Sequence, residues 1–159
     1  YYVNNNDNRV ILGNAATTFI GGHVAWSVIS DGRFKTKVSE ADVKGLDFIT
    51  RLRPVNYNYD SHKITEFNLR GQKIKDEAIA KLNLSNAAAI RHTGFIAQEV
   101  ETAAKAAGYE FDGVHIPINE TDHYSVAYSQ FVVPLVKAVQ ELNLQIEQLK
   151  ARIQELEKK

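Results

Sequence analysis

Residues 132–159 read Val132-Val133-Pro134-Leu135-Val136-Lys137-Ala138-Val139-Gln140-Glu141-Leu142-Asn143-Leu144-Gln145-Ile146-Glu147-Gln148-Leu149-Lys150-Ala151-Arg152-Ile153-Gln154-Glu155-Leu156-Glu157-Lys158-Lys159. Val132, Leu135, Val139, Leu142, Ile146, Leu149, Ile153 and Leu156 follow one another in unbroken alternating steps of three and four. That is a heptad seam, with β-branched residues at every a position and Leu at every d. It predicts a long helix that joins copies of itself in a parallel coiled coil. Arg152 at g is then placed to reach Glu157 at the next e of a neighbouring chain. Taken alone, β-branched a with Leu d favours two strands. The competing reading is one amphipathic helix lying on its own domain. The narrow seam and the polar remaining faces favour association instead. Pro134 is tolerable only because it falls near the helix start, which Ser125 or Ser129 is placed to cap.

Upstream of this helix the pattern is mixed. Ala97 to Ala107 predicts a second helix, closed by Gly108 at C′. Thr93–Ile96 reads as a short strand, and Tyr109–Asp122 as short extended pieces around Pro117. Residues 60–91 are polar and weakly patterned, with a helix predicted over Gln72–Leu82 and a loop from Asn83 to Ala89. Val55-Asn56-Tyr57-Asn58-Tyr59 alternates as a strand does. Before it, Ser39 as N-cap with Glu40 and Asp42 in the first turn predicts a helix to about Leu52. Val43, Leu46, Ile49 and Leu52 share its apolar face, and Pro54 stops it. Ser30-Asp31-Gly32-Arg33 is a turn signal. Residues 1–29 carry short β-rich runs, Arg9–Gly13, Thr17–Gly22 and His23–Ile29. These are too short to bury a core alone, and predict a stalk that leans on its copies. Trp26, Phe34, Phe48, Tyr57 and Tyr59 are expected in the core or between subunits.

The fold class is therefore α+β. It comprises a stalk segment at 1–29, a small mixed domain at 30–124 and the coiled-coil helix at 125–159. Nineteen basic and nineteen acidic residues give a net charge of zero, which argues against a broad grip on nucleic acid or an anionic membrane. No apolar run reaches the length of a membrane span. The absence of cysteine excludes disulfides and thiolate chemistry. His23, His62, His92, His115 and His123 lack ligand spacing, so no metal and no other cofactor is expected. Methionine is absent even at position 1, so the chain reads as a segment of a longer one.

One pair can carry chemistry. Ser30 and Lys35 lie five residues apart across the Gly32 turn. A serine hydroxyl needs a base to take its proton, and a lysine serves only when neutral. Backbone N–H groups of the turn are candidates to hold the resulting oxyanion. The ordinary reading of such spacing is a polar turn with a surface lysine. Asp31 reads as a brace of the turn or a partner of Arg33. Gln98 either helps build a site or is a helix-start residue that bonds backbone.

Four blocks resemble the peptidase S74 family: Ser30-Asp31-Gly32-Arg33-Phe34-Lys35, Leu52 to Tyr59, Thr93 to Val100, and Tyr128 to Leu142. The family comprises intramolecular chaperone domains at the C-termini of phage tail spikes, tail fibres, endosialidases and related proteins. The resemblance implies a homotrimer that helps a β-rich fibre upstream in the same chain to fold, then releases itself by cutting. It makes Ser30 the nucleophile, Lys35 the general base and Ile29–Ser30 the scissile bond. His92 is the best match to an assisting histidine. It also implies three strands where the heptads alone favour two, and a location on a virion tail or bacterial surface. The alternative is a trimerisation foot that does not cut.

Overall fold

The computed structural model describes residues 10–70 and 84–158. The helix expected over Gln72–Leu82 lies outside them. The chain forms two compact units, one from residues 1–29 and 55–94, the other from 30–54 and 95–159.

In the first unit, β1 (Val55–Asn58) and β2 (Arg91–Gly94) pair antiparallel, from Val55 opposite Gly94 to Asn58 opposite Arg91. The second strand starts and ends two residues before the Thr93–Ile96 expectation. The ladder stops at Val55 because Pro54, next along the strand, has no N–H to offer. Asp60 caps α2 (Ser61–Asn68), its carboxylate accepting the Lys63 N–H at 3.1 Å. This helix was not expected, since it sits in the weakly patterned stretch. The loop expected at Asn83–Ala89 is also corrected: Ser85–Ala89 forms a short helix, α3. Its last carbonyls are met by Asn58, whose side-chain amide donates to Ala88 O and Ile90 O at 3.1 and 2.9 Å. Residues 10–29 make no β-ladder. They hold a turn in which the Thr17 N–H donates to Asn14 O. A strand needs a neighbour, and no described residue pairs with these runs. Trp26 is 91% exposed, so it is not a core residue.

The second unit holds a core of Phe48, Val100, Ala103, Ala104, Ala107, Phe111 and Phe131, with Ile49, Leu52, Phe95, Tyr109, Val114 and Val126 packed around it. Phe48 lies at its centre, 5.3 Å from the ring of Tyr109, 4.8 Å from Phe111 and 6.2 Å from Phe131. α4 (Ala97–Ala106) supplies the alanine wall. It ends as expected, with Gly108 at φ +59. The Tyr109 N–H reaches Ala104 O and the Gly108 N–H reaches Lys105 O, which satisfies the last carbonyls. Of the extended pieces expected over Tyr109–Asp122, Val114–His115 forms β3, and its partner β4 (Ser125–Val126) lies beyond that range. Phe34, expected in packing, is 72% exposed.

The helix expected from Ser39 shrinks to one turn, α1 (Leu46–Ile49), with turns before it. Ser39 does not cap it. The cap comes from far along the chain: Glu141 Oε2 accepts the Leu46 N–H at 2.7 Å. Gly45 explains the late start. A Cβ there would lie 2.7 Å from the Ala138 backbone nitrogen and 2.5 Å from Glu141 Oε2, so the chain passes against the C-terminal helix where only glycine fits. Gly45→Ala is expected to destabilise the chain by about 1–3 kcal/mol, because the backbone contact cannot move aside. Thermal unfolding followed by circular dichroism reads this as a lowered Tm.

The C-terminal helix, α5, runs from Val132 to Glu157. Neither serine caps it: Ser125 sits in β4, and Ser129 lies in a 3₁₀ turn, Tyr128–Phe131, that feeds directly into the helix. Pro134, in the first turn, removes an N–H that would have no intrahelical partner. Two faces of this helix do different work. Pro134 and Ala138 are buried against the unit, Glu141 caps α1, and Lys137 pairs with Glu40 at 3.1 Å. The heptad seam lies on another face. Val132, Leu135, Val139, Leu142, Ile146, Leu149, Ile153 and Leu156 are all 45–64% exposed. The helix docks on its domain near its start, through one face, and leaves the seam exposed. Arg152 meets Glu155 in its own helix at 3.4 Å.

Candidate functional site

The Ser-Asp-Gly-Arg-Phe-Lys stretch folds into one 3₁₀ turn, Gly32–Phe34. Asp31 is its N-cap, with φ −70 and ψ 126, and its carboxylate accepts the Arg33 N–H at 2.9 Å. The Phe34 N–H donates to Asp31 O and the Lys35 N–H to Gly32 O, at 3.1 and 3.2 Å. The turn reverses the chain enough to bring Lys35 back over Ser30, with Nζ 2.8 Å from Oγ. In the protonated amine this contact has Nζ donating. In the neutral amine it reverses, and the hydroxyl donates to the nitrogen lone pair, which is the geometry proton abstraction needs.

Asp31 pairs with Arg33 as the sequence indicates. Arg33 Nε lies 3.1 and 2.9 Å from the two carboxylate oxygens, and Nη2 lies 2.5 Å from Oδ2. The guanidinium first, and then the Arg33 backbone N–H, hold the Asp31 carboxyl below the usual carboxylate range. The N–H groups of Arg33, Phe34 and Lys35 are all spent inside the turn, so they are not idle donors for an oxyanion. Both Ser30 and Lys35 are solvent-exposed.

The remaining candidates are on other elements. His92 is on β2 in the first unit, where its ring stacks on Tyr57 at 5.7 Å and tilts against Tyr59 at 4.9 Å. Gln98 is on the first turn of α4 with an exposed side chain, and its carbonyl accepts from Thr102 Oγ1. No group of three or more His, Asp or Glu side chains suited to a metal ion occurs among the described residues. Nor is any helix among them long and apolar enough to cross a membrane.

The other three motif blocks turn out to be joints. Asn56 and Thr93 face each across the β1–β2 ladder, with Thr93 Oγ1 donating to Asn56 Oδ1 at 2.6 Å. Arg53 grips Glu99 with Nε and Nη2 at 3.0 and 2.5 Å. The Phe95 N–H donates to the Tyr128 hydroxyl at 3.0 Å, and the Phe95 ring stacks on Phe131 at 5.2 Å. Sequence reasoning missed Gly45 and Glu141 as a docking pair. A lone glycine inside a predicted helix was the one available signal.

The described residues thus combine an exposed heptad seam on α5 with a serine–lysine pair on an exposed turn. The peptidase S74 family model, described as the chaperone of endosialidase, matches residues 30–109. That span is half of the 159 residues, and the chain belongs to this family. No curated protein matches the chain.

Proposed function

We propose that the chain is an intramolecular chaperone that trimerises through α5, assists folding of a β-rich fibre upstream, and then cuts itself at Ile29–Ser30. The observation that carries the first part is the open seam: eight apolar heptad residues stay exposed although the same helix is docked on its own domain. The contact that carries the second is Lys35 Nζ at 2.8 Å from Ser30 Oγ.

The chemistry follows from that pair. Neutral Lys35 takes the Ser30 hydroxyl proton as Oγ attacks the Ile29 carbonyl carbon. The C–N bond then breaks, and the proton passes to the departing nitrogen, which becomes the Ser30 α-amine. An ester now links Ile29 to Oγ. Water opens it, leaving an Ile29 carboxylate and restoring the hydroxyl. Each chain turns over once. Because both groups are exposed in one chain, the desolvation that makes a lysine neutral is assigned to neighbouring copies in the assembly. They are also the proposed source of oxyanion donors. Domain limits of 1–29 for stalk, 30–124 for the chaperone domain and 125–159 for the clamp fit this scheme.

A chaperone of this design has a physical purpose. Pairing between chains is non-local and slow, and open strand edges aggregate. Residues 10–29, with Val24, Trp26 and Val28 alternating at 85–91% exposure, are such an unpaired run. A C-terminal clamp raises the effective concentration of the three copies so that the stalk zips from its foot. The setting is a phage tail fibre or spike, with a bacterial surface fibre as the second setting. The test is intact mass of the expressed full-length protein beside Ser30→Ala. Two fragments from the first and none from the second support the reading. Equal uncut masses for both leave only a trimerisation foot.

A further inference from the structure

We propose that the apolar strip beside the seam at the start of α5, Val133 with Val136, is covered by Phe34 and Val38 of a neighbouring copy. This rests on the reading of α5 as a parallel coiled coil, and names the surface that meets the Ser30–Lys35 turn.

Three strips run along α5. The a and d positions form the seam. The c, f and g positions hold Pro134, Lys137, Ala138 and Glu141, which face the helix's own unit. The b and e positions are left, and they change character along the helix. They are Val133 and Val136 at its start, then Gln140, Asn143, Glu147 and Lys150. Val133 and Val136 are 56% and 52% exposed, so their own unit does not cover them. A seam of two or three strands needs apolar residues only at a and d. The two valines therefore exceed what the seam uses, and only at the level where the helix is docked on its domain.

Parallel packing says what faces that strip. The e side of one helix lies against the g side of its neighbour. In this protein the g side carries the docked segment of the domain. Glu40 pairs with Lys137, Gly45 passes against Ala138, and the Leu46 N–H donates to Glu141. Each copy thus brings that segment to the b and e strip of the next, and the contact repeats around a closed ring. Glu40, at Lys137, is the entering end of the segment. Just before it stand two exposed apolar side chains, Phe34 and Val38. Burying them against Val133 and Val136 takes apolar surface out of water on both copies. Val38 follows Lys35 by three residues, so the same contact sets a second copy beside the Ser30–Lys35 turn.

The test uses the full chain in a Ser30→Ala background, where every copy stays whole. The protein has no cysteine, so introduced thiols are unique. Val38→Cys and Val136→Cys are placed in separate chains, co-expressed and mildly oxidised. A disulfide joining one chain of each kind is expected, about tenfold more than when Glu147→Cys, on the polar part of the same strip, replaces Val136→Cys. Val133→Cys should link to Val38→Cys as well, which guards against poor thiol geometry at a single site. Equal yields with Glu147→Cys, or no mixed link from either valine position, overturn the proposal. So does a link formed by Val136→Cys chains alone, since neighbouring helices would then cover the strip. A mixed link in a protein whose unsubstituted form is never cut keeps the contact and removes autoproteolysis. Cutting by a native trimer that gives no mixed link keeps autoproteolysis and removes the contact. A monomer by native mass removes both the contact and the trimeric chaperone.

Discussion

Ser30→Ala is expected to leave every chain at its full 159 residues, while the unsubstituted protein yields a fragment ending at Ile29 and one beginning at Ser30. The effect is all-or-none, because no second hydroxyl is placed to attack the same carbonyl through a five-membered ring. Lys35→Ala is expected to slow cutting by about 10²–10⁴-fold, the range for losing a positioned base. Lys35→Arg separates two roles. A guanidinium can still donate to Ser30 Oγ but stays charged, so it cannot take a proton. Equal loss in both lysine variants assigns the base, whereas full activity in Lys35→Arg leaves only a hydrogen bond. The ester adds a chemical signature. Hydroxylamine present during cutting should intercept it and leave a hydroxamate at Ile29, detectable by mass. A rate that hydroxylamine does not touch, with no hydroxamate formed, argues for direct attack by water.

Ile146→Asp is expected to convert the native assembly to monomers. Ile146 lies at an a position on the open seam, distant in sequence from Pro134 and Ala138, which dock the helix. Burying one such side chain contributes about 1.5–3 kcal/mol, and three copies contribute together. Placing three carboxylates at one level of a seam reverses that gain. The total loss exceeds about 5 kcal/mol, enough to weaken association more than a thousandfold. Native mass spectrometry reads the change directly, and near-UV circular dichroism should show the Phe48 core intact. Glu147→Ala, on the neighbouring polar face, removes only a surface pair with Lys150 and should leave the assembly unaltered. If the unsubstituted protein proves to be a dimer, the trimeric chaperone reading falls with it. Where cutting depends on cover from neighbours, Ile146→Asp should also lose cleavage while its dyad residues are unchanged.

The amino-acid sequence by itself determined the features that depend on neighbours within a few turns. The heptad seam, the end of α4 at Gly108, the β1 strand and the Asp31–Arg33 turn are set by periodicity, left-handed glycine geometry and short-range hydrogen bonds. The candidate dyad was legible for the same reason, since five residues and one turn suffice to bring Lys35 to Ser30. Only the tertiary structure decided what depends on distant partners. The helix expected from Ser39 is cut to α1 because Gly45 must pass against Ala138, and its cap is a carboxylate 95 residues away. Arg53 with Glu99 and Phe95 with Tyr128 turned motif residues into joints by the same long reach. Most telling is α5. Its pattern announced one apolar face, but the packing of Pro134 and Ala138 showed a second. That second face docks on the domain, and the seam stays exposed.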